Sequence, residues 1–338
     1  MKSSLFYKNT PYLIAEIGGN HEGDFEYALE LLNLAIESGS DCVKFQLYKA
    51  ESLVNQQISP DRYHHFKKFE LSKVQHIELA NRCINAGLDY LCSAWDFEMI
   101  DYIDPYVKHY KIGSGDLTNV PLLREFSNRG KPIILSTGLS TMSEVTWAIN
   151  QIRQNNPVYE DMGMITLLQC TSMYPIPCKD SNLNVMDSFK EISNVMVGYS
   201  DHTVGLDAMY AAVAHGAQVL EFHFTDSREG KSFRDHQVSL VKDEVKVLRT
   251  TCQNIIESLG SSEKKPTEIE IKNGHVTSFR RAIYPKKDLS KGDIIKESDL
   301  VTLRPCKGIG AEHFDDVIGK KLTQDISALQ PLEWGILS

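Results

Sequence analysis

Two short stretches decide how this chain folds: Val197-Gly-Tyr-Ser-Asp-His-Thr203 and Val219-Leu-Glu-Phe-His-Phe-Thr225. Each is an apolar, strand-like run ending near a histidine, His202 in the first and His223 in the second, with one helix-length segment between them. Parallel strands are joined by such crossovers, so the two runs read as neighbours in a parallel sheet with both imidazoles at its C-terminal edge. Taken singly, a histidine in such a place is more often a hydrogen-bonded core residue. As a pair, His202 and His223 point to a metal. Two neutral imidazoles with open positions suit a divalent ion, Mn²⁺ or else Mg²⁺ or Co²⁺, better than structural zinc, which takes four closed ligands.

Outward from this pair the same strand-then-helix unit recurs. Residues 12–18, 42–47, 88–94, 107–113, 131–138 and 162–170 read as strands that are continuously apolar, as strands buried on both faces are. Between them lie helical patterns. One runs over residues 25–37, with Asp24 as N-cap candidate and Gly39 as its stop; another starts at Ser72, and a third at Thr141 with Glu144 three residues on. Residues 48–71, which include His64 and His65, read as a long loop. About eight strands alternate with about eight helices over residues 12–259, which predicts an α/β fold, a (β/α)8 TIM barrel. A doubly wound open sheet is the alternative. Residues 261–275 lose the periodicity and gain charge, as a linker does; residues 276–338 read as a small, mostly-β domain.

Composition narrows the functional classes. With 42% hydrophobic and 24% charged residues in 338, the chain can bury a large core and is not a disordered tract. A formal net charge of -9 argues against nucleic acid or an anionic membrane as partner. No apolar run is long enough to span a bilayer, and residues 1–8 lack the apolar core of a signal peptide, so a cytoplasmic location is expected. The seven cysteines are scattered, without a CxxC pair, and read as free thiols.

Polar residues that interrupt buried strands carry the chemistry, because an unpaired buried charge costs several kcal/mol. Glu16, Lys44, Lys111, Ser114, Ser136, Tyr174, Ser200, His202 and His223 all fall at or near C-terminal strand ends, the face on which barrel active sites are built. Lys44 could pair with Glu16 on the adjacent strand. Two buried lysines with several serines and the Gly113-Ser-Gly115 and Ser136-Thr-Gly138 turns describe an anion pocket of phosphate-plus-carboxylate type.

At these residues the sequence resembles the sialic acid synthase family. The matching stretches are Ala15-Glu-Ile-Gly-Gly-Asn-His21, Val43-Lys-Phe-Gln46, Tyr110-Lys-Ile-Gly-Ser-Gly-Asp116, Leu135-Ser-Thr-Gly138, Gln169-Cys-Thr-Ser-Met-Tyr-Pro175, the two opening stretches and Arg304-Pro305. The tail resembles that family's SAF (antifreeze-like) domain. The resemblance implies a transferase that condenses phosphoenolpyruvate with an N-acetylated aldose, typically N-acetylmannosamine, to give a nine-carbon 2-keto acid and phosphate. N-acetylmannosamine, its 6-phosphate, and diacetamido-trideoxy hexoses leading to legionaminic or pseudaminic acid are all compatible. It further implies that Lys44, Lys111, Ser114, Ser136 and Ser200, with Ser172 and Tyr174 beside them, hold phosphoenolpyruvate. His202 and His223 hold the metal. Glu16, Asp116 and Asp235 serve the sugar and the proton transfers, and Arg304 reaches the sugar from the other subunit of a domain-swapped homodimer. Asp116 and Ser172 stand where Glu and Asn are usual, as in the animal branch. A Schiff-base pyruvate aldolase using Lys111 or Lys44, and a non-enzymatic carbohydrate-binding protein, are the alternatives from other classes.

Overall fold

In the computed structural model, which describes residues 10–95 and 97–338, the chain divides into two compact units that meet in sequence at Gly260 and Ser261. The signal-peptide question posed on residues 1–8 lies outside the described residues. The first unit is a closed barrel of eight parallel strands in sequential order. They are β1 (Tyr12–Gly18), β2 (Cys42–Leu47), β3 (Asp89–Ala94), β4 (Tyr110–Ile112), β5 (Ile133–Ser136), β6 (Ile165–Cys170), β7 (Val195–Asp201) and β8 (Val219–His223). β1 pairs with both β2 and β8, which closes the ring and removes the open-sheet alternative.

Eight helices follow the strands in turn: α1 (Phe25–Glu37), α2 (Lys73–Asn85), α3 (Phe97–Ile103), α4 (Val120–Arg129), α5 (Met142–Asn155), α6 (Val185–Lys190), α7 (Asp207–Ala214) and α8 (Lys242–Leu259). Their starts obey local rules. Asp24 accepts a bond from the Tyr27 N–H, and Ser72–Gln75 and Thr141–Glu144 form reciprocal capping boxes. Gly39, just past the end of α1, takes φ +85°, a conformation most side chains resist.

Period-two alternation gives each strand an outward and an inward face. Outward residues such as Leu13, Val43, Ile112, Leu135, Leu167, Val197 and Leu220 pack in the large core against the helices. Inward residues fall into two zones. Tyr12, Ile14, Cys42, Leu91, Ile134, Leu168, Met196 and Val219 make an apolar plug that fills the barrel interior. One step further along the same inward faces come Glu16, Lys44, Ser93, Lys111, Ser136, Ser200, Glu221 and His223, all buried. The polar interruptions in the strands are therefore the top layer of one filled interior.

One reading needs correction, and another gains detail. Residues 48–71 are not a plain loop: they hold helices Ala50–Leu53 and Pro60–Lys68, the second opening with proline in its first turn. That second helix buries none of its residues, so it has no apolar stripe for periodicity to find. Residues 261–275 likewise contain the helix Glu268–Lys272, which starts at a Thr267–Glu270 capping box and again buries nothing. The second unit otherwise centres on the antiparallel pair β9 (Ala282–Pro285) and β10 (Leu300–Leu303), over a core that includes Ile283, Leu300, Val317, Leu322 and Leu332.

The seam between β7 and β8 depends on Gly198. A Cβ there would stand 2.4 Å from the Val219 carbonyl oxygen and 2.6 Å from Leu168 Cδ2, so the two strands have no room for even a methyl. Gly198→Ala is expected to lower unfolding free energy by about 2 kcal/mol or more in urea denaturation, the usual cost of overpacking a closed interior. Wild-type stability in that variant would refute the packing argument.

Candidate active site

The inward polar layer floors a cavity of about 430 Å³ at the C-terminal mouth of the barrel. Register sets which groups meet. Glu16 lies opposite Lys44 on β2 and opposite His223 on β8, and Ser200 on β7 lies opposite Glu221 on β8. Lys44 Nζ is 2.7 Å from Glu16 Oε2 and 3.9 Å from Glu221 Oε2, while Lys111 Nζ is 3.6 Å from Glu221 Oε1. Lys111 also donates to Ser136 Oγ at 2.7 Å, and Ser200 Oγ donates to Glu221 Oε1 at 3.1 Å. Two cations and two carboxylates thus balance inside a closed barrel.

Burial and charge push these groups in different directions. Burial alone would raise Glu221, but Lys111 and Lys44 outweigh it and hold the carboxyl below its ordinary value. Glu16 goes the other way: burial raises it, and Lys44 offsets that only in part. Burial also lowers Lys111, with Glu221 opposing. The two carboxyls are thereby shifted in opposite directions, Glu221 down and Glu16 up, the kind of divergence that acid–base chemistry uses.

The turns after β4 and β5 complete the anion side. Ser114 Oγ accepts the Gly138 N–H at 3.0 Å, tying the two turns together, and Ser172 packs against the same glycine. Asp116 accepts a 2.5 Å bond from Trp95 Nε1, and burial raises its pKa against that bond. Lys44, Lys111, Ser114, Asp116, Ser136, Ser172, Tyr174, Ser200, Glu16, His202 and His223 all line the one cavity.

On the far side stand the histidines. Their ring centroids are 5.4 Å apart, and Tyr174 packs on His202 at 4.0 Å. The turn that carries His202 is pinned by Asp201, which accepts the Thr203 N–H and hydroxyl at 3.0 Å each and the Tyr199 hydroxyl at 2.9 Å. His223 ends β8, where its carbonyl accepts the Leu240 N–H at 2.7 Å. Burial lowers His202 to about 4 and His223 to about 3, so both are neutral at physiological pH. His202 Nδ1 lies 2.7 Å from the Thr171 carbonyl, which makes that nitrogen the N–H and leaves Nε2 as a lone pair. His223 Nδ1 is buried without a hydrogen-bond partner. Neutral rings, one fixed tautomer and one buried ring nitrogen free of bonds fit a divalent ion. No cluster of three or more His, Cys, Asp or Glu among the described residues could hold one, so most of its ligands would be water and substrate.

Asp235 is not on the cavity wall: it is buried behind it, 3.9 Å from His223 Nδ1 and 3.2 Å from Arg234 Nε. Arg304 belongs to the second unit, where its guanidinium sits 5.3 Å from the centroid of the Phe279 ring. Conversely, Glu221, Gln46, Trp95, Arg62, Phe66 and Arg234 line the cavity and were not singled out. Glu221 was findable, because it stands two residues before His223 and shares its inward face; Gln46 has the same relation to Lys44. No comparable signal marks Arg62 and Phe66, which sit on the helix without a buried face.

The profile of the NeuB family matches residues 31–264, and the SAF domain matches residues 280–337. The chain belongs to the NeuB family. It is 36% identical over 326 residues to the N,N'-diacetyllegionaminic acid synthase of Campylobacter jejuni, covering 93% of this chain and 96% of that one. It is 32% identical to the N-acetylneuraminate-9-phosphate synthase of Drosophila melanogaster, covering 95% and 94%. Among solved structures, the N-acetylneuraminic acid (sialic acid) synthetase of Leptospira borgpetersenii, crystallised with citrate, superposes with a TM-score of 0.72 at 28% identity, over 79% of this chain and 91% of that one. No helix of the described residues is long and apolar enough to cross a membrane.

Two outcomes test this electrostatic account. Glu221→Ala leaves Lys111 buried without its carboxylate, and should cost about 3 kcal/mol or more of unfolding free energy. A loss below 1 kcal/mol in urea denaturation would mean that the charges are not coupled. His21 and His109 are lowered by burial to about 4 and His76 to about 3, like the pair at the site. Between the unfolded value near 6.5 and these folded values the unfolded chain binds more protons, so stability falls as pH falls through that window. Each such histidine contributes a slope of up to about 1.4 kcal/mol per pH unit. Urea midpoints should therefore drop between pH 7 and pH 5.5, and a flat profile would contradict the burial of these rings.

Proposed function

We propose that this protein condenses phosphoenolpyruvate with an N-acetylated aldose, N-acetylmannosamine being the simplest, to form a nine-carbon 2-keto sugar acid and phosphate. The observation that carries this reading is the single cavity that joins an anion cradle at Lys111, Ser136 and Ser200 to a pair of neutral imidazoles. Relatives named as synthases of legionaminic, pseudaminic and N-acetylneuraminic-9-phosphate acids support the reaction class.

In this mechanism Lys44 and Lys111 neutralise the phosphate and carboxylate of phosphoenolpyruvate, and the Ser114, Ser136, Ser172 and Ser200 hydroxyls orient its oxygens, with Tyr174 beside them. Its C3 then faces the aldehyde carbon of the open-chain aldose. His202 and His223 hold a divalent ion, Mn²⁺ or else Mg²⁺ or Co²⁺, which when bound supplies Lewis acidity at the aldehyde. After C–C bond formation water adds at C2, and the tetrahedral adduct expels phosphate by C–O cleavage. Glu16, poised upward by burial, takes the proton of that water; Asp116 is the second candidate. Asp235 backs His223 from behind the wall. The SAF domain of a second copy supplies Arg304 to the sugar in a swapped homodimer.

A second reading, a Schiff-base pyruvate aldolase, is favoured by one observation, the burial of Lys111 on the cavity wall, which pushes its pKa down. Borohydride reduction with pyruvate labels the protein only under that reading. Under the proposed one, a heavy-oxygen label in the bridging position of phosphoenolpyruvate leaves with phosphate, and its retention in the sugar acid would exclude C–O cleavage. His202→Ala and His223→Ala should each abolish metal-dependent turnover by roughly a hundredfold or more, measured as phosphate release. Full activity of the wild type in EDTA would remove the metal from the scheme.

A further inference from the structure

The condensation proposed above makes two products in one cavity, and one of them forms at its deep end. Phosphate is cut from phosphoenolpyruvate at the cradle, where Lys111, Ser136 and Ser200 are each only 3% exposed. His202 and His223 each follow an inward residue, Ser200 and Glu221, by two positions, so the imidazoles stand one step nearer the mouth. The nine-carbon acid, reaching from the cradle to the imidazoles, therefore lies across the way by which phosphoenolpyruvate came in.

A second cavity of about 440 Å³ adjoins the first and shares Leu139, Cys170 and Ser172 with it. It opens between Met142 and Val145 of α5 and Val185 and Ser188 of α6. The shared wall is thin. Gly138 brings no side chain to it, and a Cβ there would stand 2.8 Å from Ser114 Oγ and 3.3 Å from the Cys170 carbonyl oxygen. Leu139, the largest side chain in the wall, is 77% exposed and held at φ +66°, a left-handed conformation that leucine resists. Little packing keeps it where it is.

The lining suits an anion in passage better than one at rest. None of the described residues that line this second cavity is charged, so it holds no cation to trap a phosphate. Thr137 and Thr171 spend their hydroxyls on the Leu168 and Asp180 carbonyls. The side chains of Ser172, Asn182 and Ser188 have no hydrogen-bond partner among the described residues, and they lead from the half-buried wall to the exposed rim. Uncharged donors in series let an ion enter a passage and leave it again. We propose that inorganic phosphate leaves through this second cavity, past Ser172 and out between α5 and α6, while the nine-carbon acid still fills the mouth. This rests on the condensation proposed above.

The test uses the full chain with Mn²⁺, phosphoenolpyruvate and whichever of N-acetylmannosamine, its 6-phosphate or a diacetamido-trideoxy hexose it turns over. Rapid quench follows formation of the sugar acid, and a fluorescent phosphate sensor follows free phosphate. Ser188→Phe and Met142→Trp, at exposed positions on opposite sides of the passage, each put an aromatic ring into it. In both variants the first turnover should form sugar acid at the wild-type rate, while the lag before phosphate is free should lengthen roughly tenfold or more, since release rather than chemistry becomes limiting. An unchanged lag in both variants, each shown to be folded by its urea midpoint, overturns the exit. So does a first turnover slowed as much as phosphate release, because the second cavity would then shape the cradle rather than drain it. Either result leaves the condensation standing. A wild type that frees no phosphate with any of the three sugars sinks the condensation and the exit together.

Discussion

The structure depends on keeping two lysines and two carboxylates inside a closed barrel. Lys44 and Lys111, Glu16 and Glu221 are all buried, in a layer directly above the apolar plug of the barrel interior. Any one of these charges alone would cost several kcal/mol. Together they are tolerated because parallel register sets Lys44 beside Glu16 and Ser200 beside Glu221, and because the Ser136 and Ser200 hydroxyls bond to Lys111 and Glu221. An apolar layer at this height would pack as well or better. Ammonium groups already in place for an anion, with their countercharges beside them, are what the arrangement offers instead.

The same burial that strains the charges prepares the imidazoles. An exposed histidine is partly protonated near pH 6.5 and competes poorly for a metal. Desolvation keeps His202 and His223 neutral, and the Thr171 carbonyl aims the free lone pair of His202. Asp201, on the strand end just before His202, spends its carboxylate on the turn rather than on the cavity. Its role is to hold the ring in place.

The barrel and its polar layer were legible in the sequence because both follow from periodicity. Continuous apolar runs marked the strands, and a charge inside such a run can only be paired or functional, which picked out Glu16, Lys44 and Lys111 without any structure. The same rule, applied with the period of two, also reaches Gln46 from Lys44 and Glu221 from His223. What stayed hidden obeys no period. Arg62 and Phe66 lie on a helix with no buried face, so nothing in the spacing distinguishes it from a loop. The bond between Trp95 and Asp116 joins residues on consecutive units and exists only once β3 and β4 are side by side. Asp235 entered only through the family resemblance; it opens the short helix Asp235–Val238, and its carboxylate lies 3.9 Å from His223 Nδ1.

This difference in legibility is also a difference in freedom to change. A residue in the polar floor is bound by register to neighbours on both sides, so altering Glu16 or Glu221 disturbs the whole charge balance. The helices between β2 and α2 bear no such load. Pro60–Lys68 buries none of its side chains fully, and it reaches the cavity through Arg62, which is exposed, and Phe66, which is half-buried. A substitution there changes what the mouth of the cavity touches and leaves the barrel interior as it was. The strand residues that carry the buried charges and the rim residues that line the mouth are therefore separable by mutation.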